Sequence, residues 1–176
     1  MNKVITVAVG SYEGALLVYK IDLENSIHLR AFSSKDSQGS LKTLLFVGKQ
    51  LYAGGRDEAL RIYNSGKRIQ DGALTAQSGT IEKVMRRDEY IFVSTSDGKI
   101  VVYGKKDNTF YHAFKPHVKS VIDFDIHASG KLLASYGMDQ KLKLIDLATT
   151  SEVYHKNMKK SKPNLISDRV SALHSG

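Results

Sequence analysis

The chain has 176 residues, 41% of them apolar, which suffices for a buried core of ordinary size. Cysteine is absent, which excludes disulfides and thiolate metal sites, and no apolar run is long enough to span a bilayer as a helix. Lysine and arginine number 26 against 18 acids, a net charge of +8 that suits anionic company unless it serves solubility alone.

Alternation of period two dominates, prolines are confined to Pro116 and Pro163, and no stretch carries a helical period. The opening MNKVITVAVG lacks a cleavage pattern and is read as a strand, not a leader. Strands are predicted over Val4–Val9, Ala15–Lys20 and Ile27–Phe32, followed by the polar loop SSKDSQGS, Ser33–Ser40. Four more follow at Leu41–Val47, Gln50–Ala53, Ala59–Tyr63 and Arg68–Ala73. The next four are Thr80–Met85, Tyr90–Ser94, Lys99–Tyr103 and Thr109–Phe114. Another four are Ser120–Ile126, Lys131–Ser135, Lys141–Leu147 and Ser151–His155. The expected division is 1–160 for this repeating part and 161–176 for a basic linker with one further strand at Val170–Leu173.

One pattern recurs four times, in VGSYEGALLVYK, GGRDEALRIYN, STSDGKIVVYG and SYGMDQKLKLID. Aligned, these place Glu13, Asp57, Asp97 and Asp139 at one position, and Tyr19, Tyr63, Tyr103 and Ile145 at another six residues on. Both positions advance by 44, 40 and 42 residues, so acid and aromatic move together. A period of about 40 with four short strands per unit is the signature of a propeller blade. The predicted fold is therefore an all-β propeller of about four blades, with the acids in equivalent hairpins between second and third strands. The first unit lacks its first strand. Val170–Leu173 can supply it and shut a small ring, but four units are few, and an open or partial propeller is expected.

The acid has a physical task. A tight hairpin leaves backbone N–H groups unpaired, and a carboxylate accepts from them. It can also hold an imidazole from the preceding connection. His117 supplies that in the last unit, with Ser135 continuing the buried polar chain; Gln77 stands at the same place in the third unit. Asp57, Asp97, His117, Ser135 and Asp139 are thus read as blade-turn residues, and His117 as structural, not as a catalytic base. Asp123, Asp125 and His127 alternate along one strand face and mimic a metal cluster. The reading preferred here is a polar outer face, with Ile122, Phe124 and Ile126 as the apolar one. Ser94, Ser96 and Asp97 have no histidine partner and are read as turn chemistry. With no glycine-rich nucleotide loop and no convergent acid–base set, neither an enzyme nor a bound cofactor is expected.

Basic residues are the candidate contacts: Arg56 and Arg61 beside one turn, Arg86 and Arg87 at another, Lys141 and Lys143 after the last. Lys156, Lys159, Lys160 and Lys162 form a run in the tail. Aromatics do not interleave with these runs, so contact with RNA phosphates or an acidic protein is expected, not base readout.

The segment PHVKSVIDFDIHASGKLLASYGMDQKLKLID resembles a WD repeat, with Pro116 in place of the opening glycine and Ile145 in place of the tryptophan before Asp146. AGGRDEALRIYN, GALTAQSGTI and IHASGKLLASYGMDQKLKLID, in that order, resemble the nucleolar PAK-interacting, Mak-type family of WD-repeat proteins. So does GSYEGALLVY. The matching residues are Asp57 and Glu58, Ile62 and Tyr63, Gly72 to Leu74, Ser78 to Ile81, Ile126 and His127, and Ser129 to Lys131. The resemblance covers roughly residues 4–155 and implies a larger propeller, of about seven blades, than four repeats build. It implies a non-enzymatic scaffold in assembly of the large ribosomal subunit and rRNA processing, located in the nucleolus. Implied partners are pre-ribosomal proteins, other assembly factors and rRNA backbone. The alternative it implies is an adaptor that binds and restrains a p21-activated protein kinase.

Overall fold

The computed structural model describes residues 4–64, 69–75 and 78–158. They form fifteen strands, and among them there is no helix. In chain order these are β1 (Val4–Gly10), β2 (Leu16–Asp22), β3 (Ile27–Ser34), β4 (Leu41–Val47), β5 (Gln50–Gly55), β6 (Leu60–Asn64), β7 (Ile69–Leu74) and β8 (Ile81–Arg87). The rest are β9 (Tyr90–Thr95), β10 (Ile100–Gly104), β11 (Phe110–Phe114), β12 (Val121–Ile126), β13 (Leu132–Gly137), β14 (Lys141–Asp146) and β15 (Ser151–Asn157). The strands pair in sequence order as one three-stranded sheet, β1–β3, and three four-stranded sheets, β4–β7, β8–β11 and β12–β15. This is the expected all-β architecture of blade-like meanders. The first sheet has the expected three strands, and β1 lies at its edge. The predicted strand Val170–Leu173 lies outside the described residues.

Alternation explains most of the burial. Leu16 and Val18, Leu60 and Ile62, and Ile100 and Val102 all point inward from the third-strand positions. In every sheet the ladder to the last strand is irregular at a matching place. The ladder to the last strand shifts register between Val18 and Tyr19, Ile62 and Tyr63, Val102 and Tyr103, and Leu144 and Ile145. A bulge adds a residue to one strand and re-aims the side chains beyond it. The extra residue lies in the last strand each time, Ala31, Asp71, Tyr111 and Val153, opposite the aromatic position. Tyr63 and Tyr103 follow buried Ile62 and Val102 and are buried too, because these strands are covered on both faces.

A second shift, between Val121 and Asp123, corrects the reading of DFDIH. Val121, Phe124 and Ile126 are buried, whereas Ile122 is 46% exposed and Asp125 is buried. Asp125 therefore belongs to the interior and Ile122 to the surface.

The chain divides into two compact units, with the boundary between Val84 and Met85 in β8. In the first, Leu16, Val18 and Ala31 pack with Leu51, Ala53 and Tyr63. In the second, Phe92, Ile100 and Val102 pack with Val121, Phe124, Ile126, Leu133 and Ile145. Each core thus joins two successive sheets, and each such large side chain contributes about 1.5–3 kcal/mol by leaving water. A lone sheet has nothing to cover this face, which is why the unit recurs.

Candidate functional site

Each four-stranded sheet carries its acid in the hairpin between its second and third strands. Asp57 lies between β5 and β6, Asp97 between β9 and β10, and Asp139 between β13 and β14. Glu13 sits between β1 and β2 and is exposed. Although the acid's place is constant, its partner changes from sheet to sheet.

At Asp139 the partner is His117. Its Nδ1 stands 2.9 Å from Oδ1 and 3.1 Å from Oδ2 of Asp139, and its Nε2 stands 3.0 Å from Ser135 Oγ. A carboxylate only accepts, so Nδ1 carries the hydrogen. Burial pushes the His117 pKa down against the opposing pull of Asp139, so the ring is neutral and Nε2 accepts from the Ser135 hydroxyl. Burial alone would raise the pKa of Asp139. The imidazole beside it and the N–H groups of Val118 and Lys141, each 3.3 Å away, instead hold it below the ordinary value. Gly137 is required here because a Cβ would stand 2.5 Å from His117 Nδ1.

The order serine, histidine, aspartate is that of a hydrolytic relay. Here His117 and Ser135 are each 1% exposed, so no acyl group reaches the hydroxyl. The relay is sealed, and it fixes the hairpin to the connection before β12. Ile145, at the aromatic position, is instead buried in the apolar core with Phe124 and Leu133.

At Asp57 the place of the histidine, four residues before the strand, is taken by Ser37, which is buried and donates to Gly39 O at 3.0 Å. The next N–H, of Gln38, still reaches Asp57 Oδ2 at 3.3 Å, as that of Val118 reaches Asp139. Arg61 Nη1 pairs with the same Oδ2. Asp57 Oδ1 is buried and has no hydrogen-bond partner among the described residues. At Asp97, Thr95 stands where Gly55 and Gly137 stand in the other sheets. Its hydroxyl donates to Asp97 Oδ1, and Lys99 Nζ lies 2.8 Å from Oδ2. Gln77, the residue at the histidine position, lies outside the described residues.

The basic residues sort into two groups. Arg61 is held by Asp57, Arg87 by the carbonyl of Ala128, and Lys143 by Glu152 at 2.5 Å, with His155 on the other oxygen at 2.6 Å. Arg56, Lys141 and Lys156 make no ion pair among the described residues, and Arg86 donates only to the Asp88 carbonyl at 3.3 Å. Lys143 lies opposite His155 on the β14–β15 ladder and Lys156 opposite Leu142, so Lys143 and Lys156 face opposite sides of that sheet. Lys159, Lys160 and Lys162 lie outside the described residues. Asp123 Oδ1 and Asp125 Oδ1 each accept a following N–H, of Phe124 at 2.9 Å and Ile126 at 2.8 Å, while His127 Nδ1 meets Ser129 Oγ at 2.9 Å. Asp125 is buried and the other two are not, so the three do not form one polar face.

Sequence reasoning missed Ser37, Thr95 and Asp36, which accepts from the buried Tyr63 hydroxyl at 3.2 Å. Ser37 was within reach, since Ser37–Leu41 repeats the interval His117–Val121. Burial raises the Tyr63 pKa first of all causes, so the phenol stays protonated and able to donate.

No family model matches the chain. It is 30% identical over 164 residues to a p21-activated protein kinase-interacting protein 1-like of Xenopus laevis, covering 92% of this chain and 45% of that one. The corresponding protein of Gallus gallus is 29% identical, over 74% of this chain and 36% of its own length. Protein MAK11 of Saccharomyces cerevisiae is 26% identical, over 73% of this chain and 37% of its own. The chain thus spans less than half the length of the curated relatives it matches. A chain in the crystal structure of the mitotic checkpoint complex superimposes with a TM-score of 0.73 at 18% identity, covering 86% of this chain and 47% of that one, a likeness of fold. With its four hairpin-marked sheets and these relatives, the chain is a WD-repeat protein of propeller-blade architecture, similar to the PAK-interacting, Mak-type group.

Proposed function

We propose that this chain is a non-enzymatic docking platform that serves assembly of the large ribosomal subunit in the nucleolus. The observation that carries the platform reading is the sealed relay. The convergent Ser135, His117 and Asp139 are spent on holding a hairpin, while Arg56, Arg86, Lys141 and Lys156 are left for other molecules. The ribosomal part rests on the family words in the sequence and on the likeness to Protein MAK11. Cations on a rigid body suit phosphate backbones and acidic protein tails, and they bind without sequence readout. Residues 161–176 act as a basic tail of the blade region.

The test is salt-titrated association with purified large-subunit precursors. Replacing Lys156, Lys159, Lys160 and Lys162 by Glu lowers affinity and flattens the dependence on salt. Identical titration curves for the two proteins would remove the tail from the mechanism. A second reading, an adaptor that binds and restrains a p21-activated protein kinase, is favoured by the name of the vertebrate relatives, p21-activated protein kinase-interacting protein 1-like. Retention of such a kinase by both the native chain and the tail variant, with no precursor bound by either, would select that reading.

A further inference from the structure

The second unit holds an open cleft of about 260 Å³ between the sheets β8–β11 and β12–β15. Tyr90, Phe92 and Tyr111 line one side, Leu147 the other, and Lys131 stands among the lining residues. Phe114 and Thr150 also line a second hollow of about 190 Å³, which includes Lys115 and the Lys143–Glu152 pair. Meeting at Phe114 and Thr150, the two hollows are read as one groove, aromatic at one end and charged at the other. Tyr111 is 65% and the neighbouring Phe110 56% exposed, two adjacent rings open to solvent. The segment that carries them, Phe110 to Phe114, is aromatic at four of its five positions.

The charges along the groove do not balance. Glu152 is taken by Lys143 and His155, Glu89 by Lys105 at 2.9 Å, and Asp88 faces Arg87 at 3.7 Å. Lys115 and Lys131 make no ion pair among the described residues. We propose that this groove docks an extended peptide segment of a partner protein, one large apolar side chain filling the aromatic end and flanking carboxylates meeting Lys131 and Lys115. An apolar anchor in a pocket with a charged rim is the usual economy of such sites: the anchor supplies affinity and the charges supply orientation. A nucleobase fits less well. His112, Lys131 and Thr150 could meet a base edge, but the rings of Tyr90 and Tyr111 stand 5.0 Å apart and lean on each other, leaving no slot between them for a base to stack.

The inference rests on the platform reading but not on the basic tail, so the two fail separately. The probe is a fluorescein-labelled Gly/Ser peptide with one central Phe flanked by Asp and Glu, read by anisotropy on the full chain. Controls carry Ala for the Phe, or Lys for the acids, and a uridine hexanucleotide is run in parallel. The acidic Phe peptide binds saturably and more tightly than both control peptides. Tyr111→Ala weakens it about tenfold, and the double variant Lys115→Glu with Lys131→Glu does so by a similar factor that shrinks in high salt. Both changes are at exposed positions, and an unchanged melting curve confirms that they leave the fold intact. No saturable binding, or equal binding by the native chain and Tyr111→Ala, overturns the proposal. Tighter binding of the hexanucleotide, lost in the same variants, assigns the groove to RNA and also overturns it.

Discussion

Asp57 holds an arginine and Asp139 holds a histidine, though the two hairpins share their backbone. In both, the N–H of the residue before the acid donates to a serine carbonyl, Arg56 to Ser40 at 3.0 Å and Met138 to Ser120 at 2.8 Å. In both, the N–H after the histidine position reaches the acid at 3.3 Å. The difference lies in the side chain that completes the carboxylate. His117 uses both oxygens of Asp139 and continues to Ser135. Arg61 uses one oxygen of Asp57 and leaves the other buried and unmet. The repeat therefore fixes the acid and the turn, and each sheet finds its own counter-group. The sharpest way to break the comparison is His117→Ala. It strips Asp139 and Ser135 of partners they cannot replace inside the protein. We expect a loss of about 3 kcal/mol in urea denaturation, from the charged hydrogen bond and the stranded groups together. A loss no larger than that from an exposed substitution such as Lys156→Ala would reduce the relay to a passive contact.

The same contrast predicts a pH dependence confined to one hairpin. The folded pKa of His117 lies below its ordinary value of 6.5, so the unfolded chain binds that proton first. Its contribution is complete above 6.5 and drains away as pH falls below it. Asp139 is also depressed, from 3.8, so its contribution is present above that value and is lost only as pH falls through its lower folded pKa. Between neutrality and pH 5, then, His117 carries the slope. His117→Gln is expected to lower stability at neutral pH and flatten this limb. A slope unchanged in that variant would assign the acid sensitivity elsewhere.

How far this was legible depends on the residue. Strand order and the place of Asp57, Asp97 and Asp139 follow from alternation and turn glycines, which are local properties of the chain. His117 was legible because a histidine before the first strand of a unit and an acid in its hairpin between second and third strands recur in a known repeat. Ile122 was misplaced because it is the extra residue of a bulge, which changes the phase of alternation without changing composition, and Asp125 because this strand is covered on both faces beyond the bulge. The counter-groups Arg61 and Thr95 were opaque for a further reason. One acts from the strand after the acid and the other from the strand before it, and only the folded hairpin brings both to the carboxylate. The aromatic groove was equally hidden, since Tyr90, Tyr111 and Leu147 come from three separate strands or their ends.

If the poorer hairpin lacks only its imidazole, it can be repaired. Ser37→His places a ring at the position of His117, beside Gly55, which like Gly137 has no Cβ to obstruct it. The ring's Nδ1–H would serve Asp57 Oδ1, at the expense of the present bond from Ser37 to Gly39. The expected gain is under about 1 kcal/mol, since the carboxylate is satisfied but one bond is exchanged for another and Ala53, standing where Ser135 stands, gives the ring's Nε2 no donor. The gain should vanish in Asp57→Asn. A stabilisation that survives in that background would come from packing and not from the carboxylate.

The smallest effect concerns the residue after the acid. It adopts a left-handed backbone in all four hairpins, with φ of 81° at Gly14, 62° at Glu58, 89° at Gly98 and 60° at Gln140. Glycine is obligatory where the next sheet's entry closes over the turn. A Cβ on Gly98 would run into the carbonyl of His117, and one on Gly14 into that of Ser37. Gln140 meets no such neighbour among the described residues, and its side chain is carried at the cost of backbone strain. Its own N–H donates to Gly137 O at 3.0 Å and its carbonyl accepts from Met158 N at 2.8 Å, and a glycine keeps both bonds. Gln140→Gly relieves the strain but frees the unfolded chain, and the two terms oppose. The strain is the larger at this φ, so we expect a gain of about 0.5 kcal/mol in thermal denaturation. Gln140→Ala, which keeps the Cβ and drops the rest of the side chain, should not show it. If the alanine variant gains as much as the glycine, the side chain and not the backbone is what the hairpin tolerates poorly.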